Sequence, residues 1–444
     1  MGAFLSQESV EAQFSGLPVE LIGNIISLLP PCDVASLRLM SKAFAVMGRR
    51  GLFNGRLTLR IYRDDMRRLT GIGGCPWLAA CIQEIEIFVA EVDCHHFDYQ
   101  PRVEIDEDTL AELQCVWRFL EVNRSGLFCL EGLLATAFPS FTHVNSIVVT
   151  SRKFPFGFIT QSDSLRPAWR HIIETAEDPS HLNSHRPRYK ESTARFPNLV
   201  LAARAYLPPL TKLVFDPFPI EALIRRNLTS MEGAKTSMMT EMIKLCNRLQ
   251  HLQIAIDGHS DGRYYDGPSI GRAMSKFLGS LYYLRALELS FPLARFTTPG
   301  YIDHIFGIYL PCLRTFKLEK IGAPPDVLLS FLIRHNATLR ELRLSSTALC
   351  VHTEDSFKDF ITALRDSLRL ENFEMFNWDS KEETLYVEER CQDPGEMSRR
   401  LEQYVKGEGS WCSGAELAFS NARIVQNPLE GHETHVQVIE PDQD

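Results

Sequence analysis

Eight times along the chain an apolar residue at position i is followed by apolar residues at i+3 and i+5. The copies are Ile82/Ile85/Ile87, Val144/Ile147/Val149, Leu210/Leu213/Phe215, Leu249/Leu252/Ile254, Leu284/Leu287/Leu289, Leu313/Phe316/Leu318, Leu339/Leu342/Leu344 and Leu370/Phe373/Met375. The last two members of each copy are two apart, so in a strand they point to one face. Helical spacing fills the intervals. Ile270, Met274, Phe277, Leu278 and Leu281 form one stripe, and Phe357, Phe360, Ile361, Leu364 and Leu368 form another. Pro324-Pro325-Asp326 opens a helix carrying Leu328, Leu329, Phe331 and Leu332. Further helices are expected over 106–122, 127–138 and 396–406, and a surface excursion over 151–198, where Asp178 to Thr193 is nearly free of apolar residues. Strand alternating with helix predicts an α/β fold.

This alternation resembles a leucine-rich-repeat solenoid. The resemblance implies parallel strands on a concave face and helices on the convex one, over residues 75–380. Successive copies start 62, 66, 39, 35, 29, 26 and 31 residues apart, mostly longer than the usual ~20–29, so the array is expected to be irregular. Such repeats often place Asn or Cys eight positions after the start to bond the turn. Here that position holds Ala90, Arg152, Phe218, Asp257, Pro292, Ile321, Thr347 and Trp378, so other packing must hold the turns. The residues between the buried pairs are expected on the concave face. Among them Gln253, Glu288, Lys317, Arg343 and Glu374 are candidate target-binding residues, with Lys317 and Arg343 forming a small basic spot flanked by Glu288 and Glu374. Mixed charge suits a protein segment better than a polyanion.

The N-terminal segment has a different pattern. Pro18 suits the first turn of a helix, Glu20 lies near the positive end of its dipole, and Leu21, Ile22, Ile25, Ile26 and Leu29 make an apolar stripe ended by Pro30-Pro31. Asp33 is placed to cap a second short helix with Val34 and Leu37 inward. Ser41 to Arg50 reads as a third, with Ala43, Phe44 and Met47. Three helices this short bury little surface alone. The spacing Leu17-Pro18-x-Glu20-Leu21, then Ile25, Leu29, Asp33, Leu37 and Ser41-Lys42, is similar to the F-box pattern, with Phe44 where many members carry Trp. The resemblance implies that Leu17, Pro18, Leu21, Ile25, Leu37 and Met40 grip the Skp-type adaptor of a Skp/cullin/F-box ligase.

Composition narrows the alternatives. With 47 basic and 56 acidic residues the net charge is −9, which gives no footprint for nucleic acid or an anionic membrane. No apolar run is long enough to span a bilayer, and the start of the chain lacks a secretory layout. Met1 to Ser6 satisfies the minimal myristoylation pattern, but no second anchoring signal accompanies it, so no stable membrane association is expected. Eleven scattered cysteines suit a reducing cytoplasmic or nuclear setting, where the sequons at Asn123, Asn227 and Asn336 stay unmodified. Cys75, Cys81, Cys94, His95 and His96 lack the paired spacing of a zinc site, and His181 and His185 lie in a stretch that Pro179 and Pro187 mark as loop. Asp257 to Gly262 lacks the calcium-loop spacing. No phosphate loop, dinucleotide fingerprint, zinc-protease motif or nucleophile elbow occurs. Neither an enzyme activity nor a cofactor or metal is expected.

The expected division is an F-box (12–55), an irregular leucine-rich-repeat-like body (75–380), a capping segment (381–425) and a disordered acidic tail (426–444). The expected function is substrate recognition: the F-box docks on the adaptor and through it a cullin, and the body holds a target protein. A scaffold using its F-box outside a ubiquitin ligase is the alternative.

Overall fold

Every copy of the apolar code forms a strand, and the strands lie side by side in the order in which the chain makes them. The computed structural model describes residues 17–29, 31–49, 55–60, 63–88, 130–150, 199–218, 235–256, 267–290, 299–319, 323–345, 354–376 and 394–411, with a few isolated positions between them. The strands are β1 (Arg56–Arg60), β2 (Glu84–Phe88), β3 (Ser146–Thr150), β4 (Lys212–Phe218), β5 (Leu228–Thr229), β6 (Lys235–Thr236), β7 (His251–Ile256), β8 (Ala286–Ser290), β9 (Thr315–Glu319), β10 (Glu341–Ser345) and β11 (Asn372–Phe376). Among the described residues β5 and β6 make a separate antiparallel pair, and the other nine form one sheet in chain order. Each neighbouring pair in that sheet is parallel. The long irregular intervals therefore do not interrupt the array.

β1 is a ninth copy, so among the described residues the sheet begins at Arg56, ahead of residue 75. Its Leu57 and Leu59 are buried like the other pairs, but the position three before Leu57 is Asn54. The missing first apolar residue hid it. Gly55 lies between them at φ 74, a left-handed conformation that glycine adopts without steric cost.

A main-chain ladder joins the copies just before their strands. Gln83 N donates to Gly55 O (2.7 Å), Asn145 N to Gln83 O (3.0 Å), Thr211 N to Asn145 O (2.8 Å) and Gln250 N to Thr211 O (2.8 Å). The series continues with Arg285 N to Gln250 O (2.8 Å), Arg314 N to Arg285 O (2.7 Å), Arg340 N to Arg314 O (2.8 Å) and Glu371 N to Arg340 O (2.7 Å). Each carbonyl also accepts from the following amide of the next copy. These bonds use only backbone, so residues as different as Gly55, Gln83 and Arg314 occupy the rungs.

On one face of the sheet the paired apolar residues meet the helices in a continuous core. Within it Phe306, Phe316 and Phe331 form an aromatic cluster, with centroids 5.1 to 6.3 Å apart. The helices expected over 270–281, 324–332 and 357–368 occur as Gly267–Gly279, Pro325–Arg334 and Glu354–Ser367. The 127–138 helix occurs as Leu130–Ala137, and a helix over 199–206 carries further core residues. The final helix, Pro394–Val405, ends where Gly407 turns to φ 78. Nearly all of the expected 106–122 helix, the 151–198 excursion and the 412–444 segment lie outside the described residues.

Candidate protein-docking surfaces

The first helix, α1 (Val19–Leu28), carries two apolar stripes rather than one. Ile22 and Ile26 are buried and Leu29 packs beside them, while Leu21, Ile25 and Leu28 face outward. Both sets follow the same spacing, i, i+4 and i+7, which places them on different faces of one helix. The inward set meets Val34 and Phe44 from α2 (Pro31–Met40) and α3 (Lys42–Met47). Ser41 caps α3, its hydroxyl accepting from Phe44 N at 3.2 Å. Pro18 occupies the N-cap of α1 rather than its first turn, and α2 starts at Pro31, so Asp33 lies in the first turn of α2 instead of capping it.

Four of the six expected adaptor-binding residues, Leu17, Pro18, Leu21 and Ile25, are exposed. Leu37 and Met40 are half-buried against the module's own core, because three short helices must use them to close it. Pattern reasoning missed Val19, Leu28, Leu39 and Val46, all exposed; Leu28 and Leu39 are 84% and 88% exposed. Their signal was an excess of apolar residues over what one core-facing stripe can use. Fully burying one such leucine is worth about 2 kcal/mol, so this face is a strong candidate for a protein partner. The module meets the body at Trp77, whose ring lies 5.6 Å from the Arg38 guanidinium and 4.8 Å from that of Arg49.

On the face of the sheet opposite the core the expected row is present and in register. Thr58, Glu86, Val148, Val214, Gln253, Glu288, Lys317, Arg343 and Glu374 pair in succession from β1 to β11. Gln253 is exposed and the four charged candidates are half-buried. The expected basic spot is neutralised within the row: Lys317 Nζ lies 3.6 Å from Glu288 and Arg343 Nε 2.8 Å from Glu374. Adjacent parallel strands bring these side chains side by side, and opposite charges pair before any ligand arrives.

The other end of the same face holds a polar network. Arg56 pairs with Glu84 at 3.3 Å and with Glu86, which is buried, and Thr58 donates to Glu86 at 3.3 Å. Glu84 also receives Lys212 Nζ at 2.9 Å and the Ser146 hydroxyl at 2.7 Å. Burial pushes the Glu84 carboxyl up, but the Lys212 and Ser146 hydrogen bonds and the charges of Lys212 and Arg56 bring it below its ordinary 4.5. This is a satisfied ion-pair network linking β1 to β4.

Among the described residues no cluster of three or more His, Cys, Asp or Glu could hold a metal ion. Cys75 and Cys81 flank a short helix, and the Cys81 thiol donates to Trp77 O at 3.1 Å. Cys94, His95, His96, His181 and His185 and the 257–262 turn lie outside the described residues. No described helix is long and apolar enough to cross a membrane.

Residues 14–46 match the family model of the F-box domain. No curated protein matches the chain. Among solved structures, the leucine-rich repeat-containing protein LegL7 from Legionella pneumophila is similar at 13% identity and a TM-score of 0.34, over 80% of this chain and 99% of that one. The repeat architecture stands on the parallel sheet and its ladder, since a likeness so distant adds nothing to them.

Proposed function

We propose that this F-box chain is a substrate receptor of a Skp/cullin/F-box ubiquitin ligase, with no chemistry of its own. The observation that carries the proposal is the outward stripe Leu21, Ile25 and Leu28, with Leu17, Val19 and Leu39, on a module that matches the F-box and already has a separate core. Docking that stripe on a Skp-type adaptor buries it. The body then holds a target protein close to the ubiquitin-transfer machinery, where proximity raises the effective concentration of target lysines.

The test is co-purification of the Skp-type adaptor and cullin with the full chain and with Leu21→Ala/Leu28→Ala. Both residues are outside the module's core, so the double variant keeps its fold while adaptor recovery falls at least about tenfold. Undiminished recovery overturns the docking surface. Recovery of adaptor without cullin favours a scaffold acting outside a ligase.

A further inference from the structure

We propose that the edge of the solenoid at the N-terminal ends of β8, β9 and β10 docks an acidic peptide segment of a partner protein, through Arg285, Arg314 and the rings of Tyr282, Tyr283 and Tyr309. The inference rests on the body being the partner-holding part of the chain, and not on adaptor docking.

The charge is concentrated on this edge. Take, for each of the last five copies, the seven residues from five before its first apolar position to one after it: 244–250, 279–285, 308–314, 334–340 and 365–371. Together they hold eight Lys or Arg and two acidic residues, eight minus two or +6, in a chain of net −9. Part of the excess has an internal use. Arg334 donates to the carbonyls of Gly307 (2.7 Å) and Ile308 (3.0 Å), and Arg340 to those of Leu339 (2.7 Å) and Ala337 (2.9 Å). Those oxygens follow helices and would otherwise lack partners. Lys244 pairs with Glu241 at 3.1 Å and Arg365 with Asp366 at 2.8 Å.

Arg285 and Arg314 are not used in this way. Arg285 is exposed and makes no ion pair with another described residue, and Arg314, 61% exposed, reaches only the exposed Glu371 at 3.4 Å, a solvent-screened pair that contributes little. They occupy the same position on consecutive rungs of the main-chain ladder, joined by the bond from Arg314 N to Arg285 O, so their backbones sit about 4.8 Å apart. Two arginines carried on backbones at that spacing suit carboxylates on one short segment, each accepting charge-assisted hydrogen bonds.

The same edge displays aromatic rings. Tyr282 and Tyr283 precede β8, Tyr309 precedes β9, and all three are more than half exposed. Tyr309 stacks on buried His335 with centroids 5.3 Å apart and planes 22° apart, which holds the ring in place. Tyrosine and arginine are the residue types that dominate protein interfaces, because they bury large area at little entropic cost. A long polyanion fits less well, since Glu371 bounds the patch and the molecule as a whole is acidic. The face opposite the core is a weaker site for an acidic segment because Lys317 and Arg343 are already neutralised by their neighbours.

The experiment is fluorescence anisotropy of the full chain, without adaptor, against a fluorescein-labelled peptide alternating Asp or Glu with Gly and Leu. A Lys-substituted peptide and a single-stranded RNA of similar charge serve as comparisons. The acidic peptide binds saturably and more weakly as salt rises. Arg285→Ala/Arg314→Ala weakens it about tenfold or more, as does Tyr282→Ala/Tyr283→Ala, while Lys317→Ala leaves it unchanged. Thermal melts verify that these surface variants fold. Any of four results overturns the site: no binding of the acidic peptide, equal binding by the arginine variant, loss on Lys317→Ala, or tighter binding of the RNA. Adaptor is absent throughout, so a failure of F-box docking leaves the result untouched.

Discussion

His335 shows how one side chain joins two repeats. It is buried, its Nδ1 donating to Phe331 O at 2.7 Å and its Nε2 accepting from Leu310 N at 2.9 Å. Accepting at Nε2 requires the neutral ring. Burial holds its pKa below the ordinary 6.5 and Arg334 adds to this, while the bond to Phe331 opposes it. Above 6.5 the ring is neutral in both folded and unfolded chains, and its contribution to stability is complete. As pH falls through 6.5 the unfolded chain takes a proton that the folded chain refuses, so stability declines until the lowered folded value is passed. Denaturant midpoints should therefore drop as the pH is lowered through 6.5, and His335→Gln should flatten that dependence while lowering the neutral-pH midpoint. An unchanged slope in the variant would show that other groups carry it. Cysteines provide a second residue-level check. Burial pushes the Cys246 thiol up to about 12, whereas Cys312 is exposed. In the native chain a maleimide should label Cys312 and spare Cys246 until global unfolding, as read by mass spectrometry of the digested protein.

At the scale of elements, the strands are held in register by backbone as much as by side chains. Gly55 begins the ladder: its carbonyl accepts from Gln83 N at 2.7 Å and Glu84 N at 2.9 Å, with φ at 74. An added Cβ would meet Gln83 only at 3.6 Å, an ordinary contact, so the cost of substitution lies in the backbone conformation. Gly55→Ala should lower unfolding stability by about 1 kcal/mol and Gly55→Asn by less, since Asn tolerates the left-handed region. Equal losses in denaturant titrations would point to crowding instead of backbone strain. The eight copies legible in the sequence all became strands because each presents two apolar residues to one face. The ninth was not legible because its first position, Asn54, breaks the code while the two residues that matter to the sheet, Leu57 and Leu59, remain.

Over the whole molecule, a solenoid must close its ends. At the first repeat, Trp77 receives Arg38 and Arg49 from the N-terminal module. At the last, the helix Pro394–Val405 buries Leu401, Tyr404 and Val405 against the array. Tyr404 bonds Thr362 at 3.1 Å, and Trp411 lies 5.1 Å from the Tyr404 ring and 6.3 Å from that of Phe357. A chain ended at residue 393 exposes this apolar side of the last repeat, so it should melt at lower temperature and associate on size-exclusion chromatography. A truncated chain that stays monomeric and melts like the whole would show that this helix is not a cap.

The amino-acid sequence by itself determined the order of elements, the buried pair in each strand and the identity of the N-terminal module, because these are properties of spacing along the chain. Tertiary structure decided which surfaces remain available to partners. Leu21 and Ile22 look alike in sequence, yet packing on Val34 and Phe44 buries only Ile22. Lys317 and Arg343 look like a basic spot, yet parallel pairing sets each beside a carboxylate. Arg285 and Arg314, 29 positions apart in sequence, become neighbours only through the rung that joins them. Periodicity encodes which face a residue takes on its own element, while exposure and charge balance depend on what the fold places opposite that face.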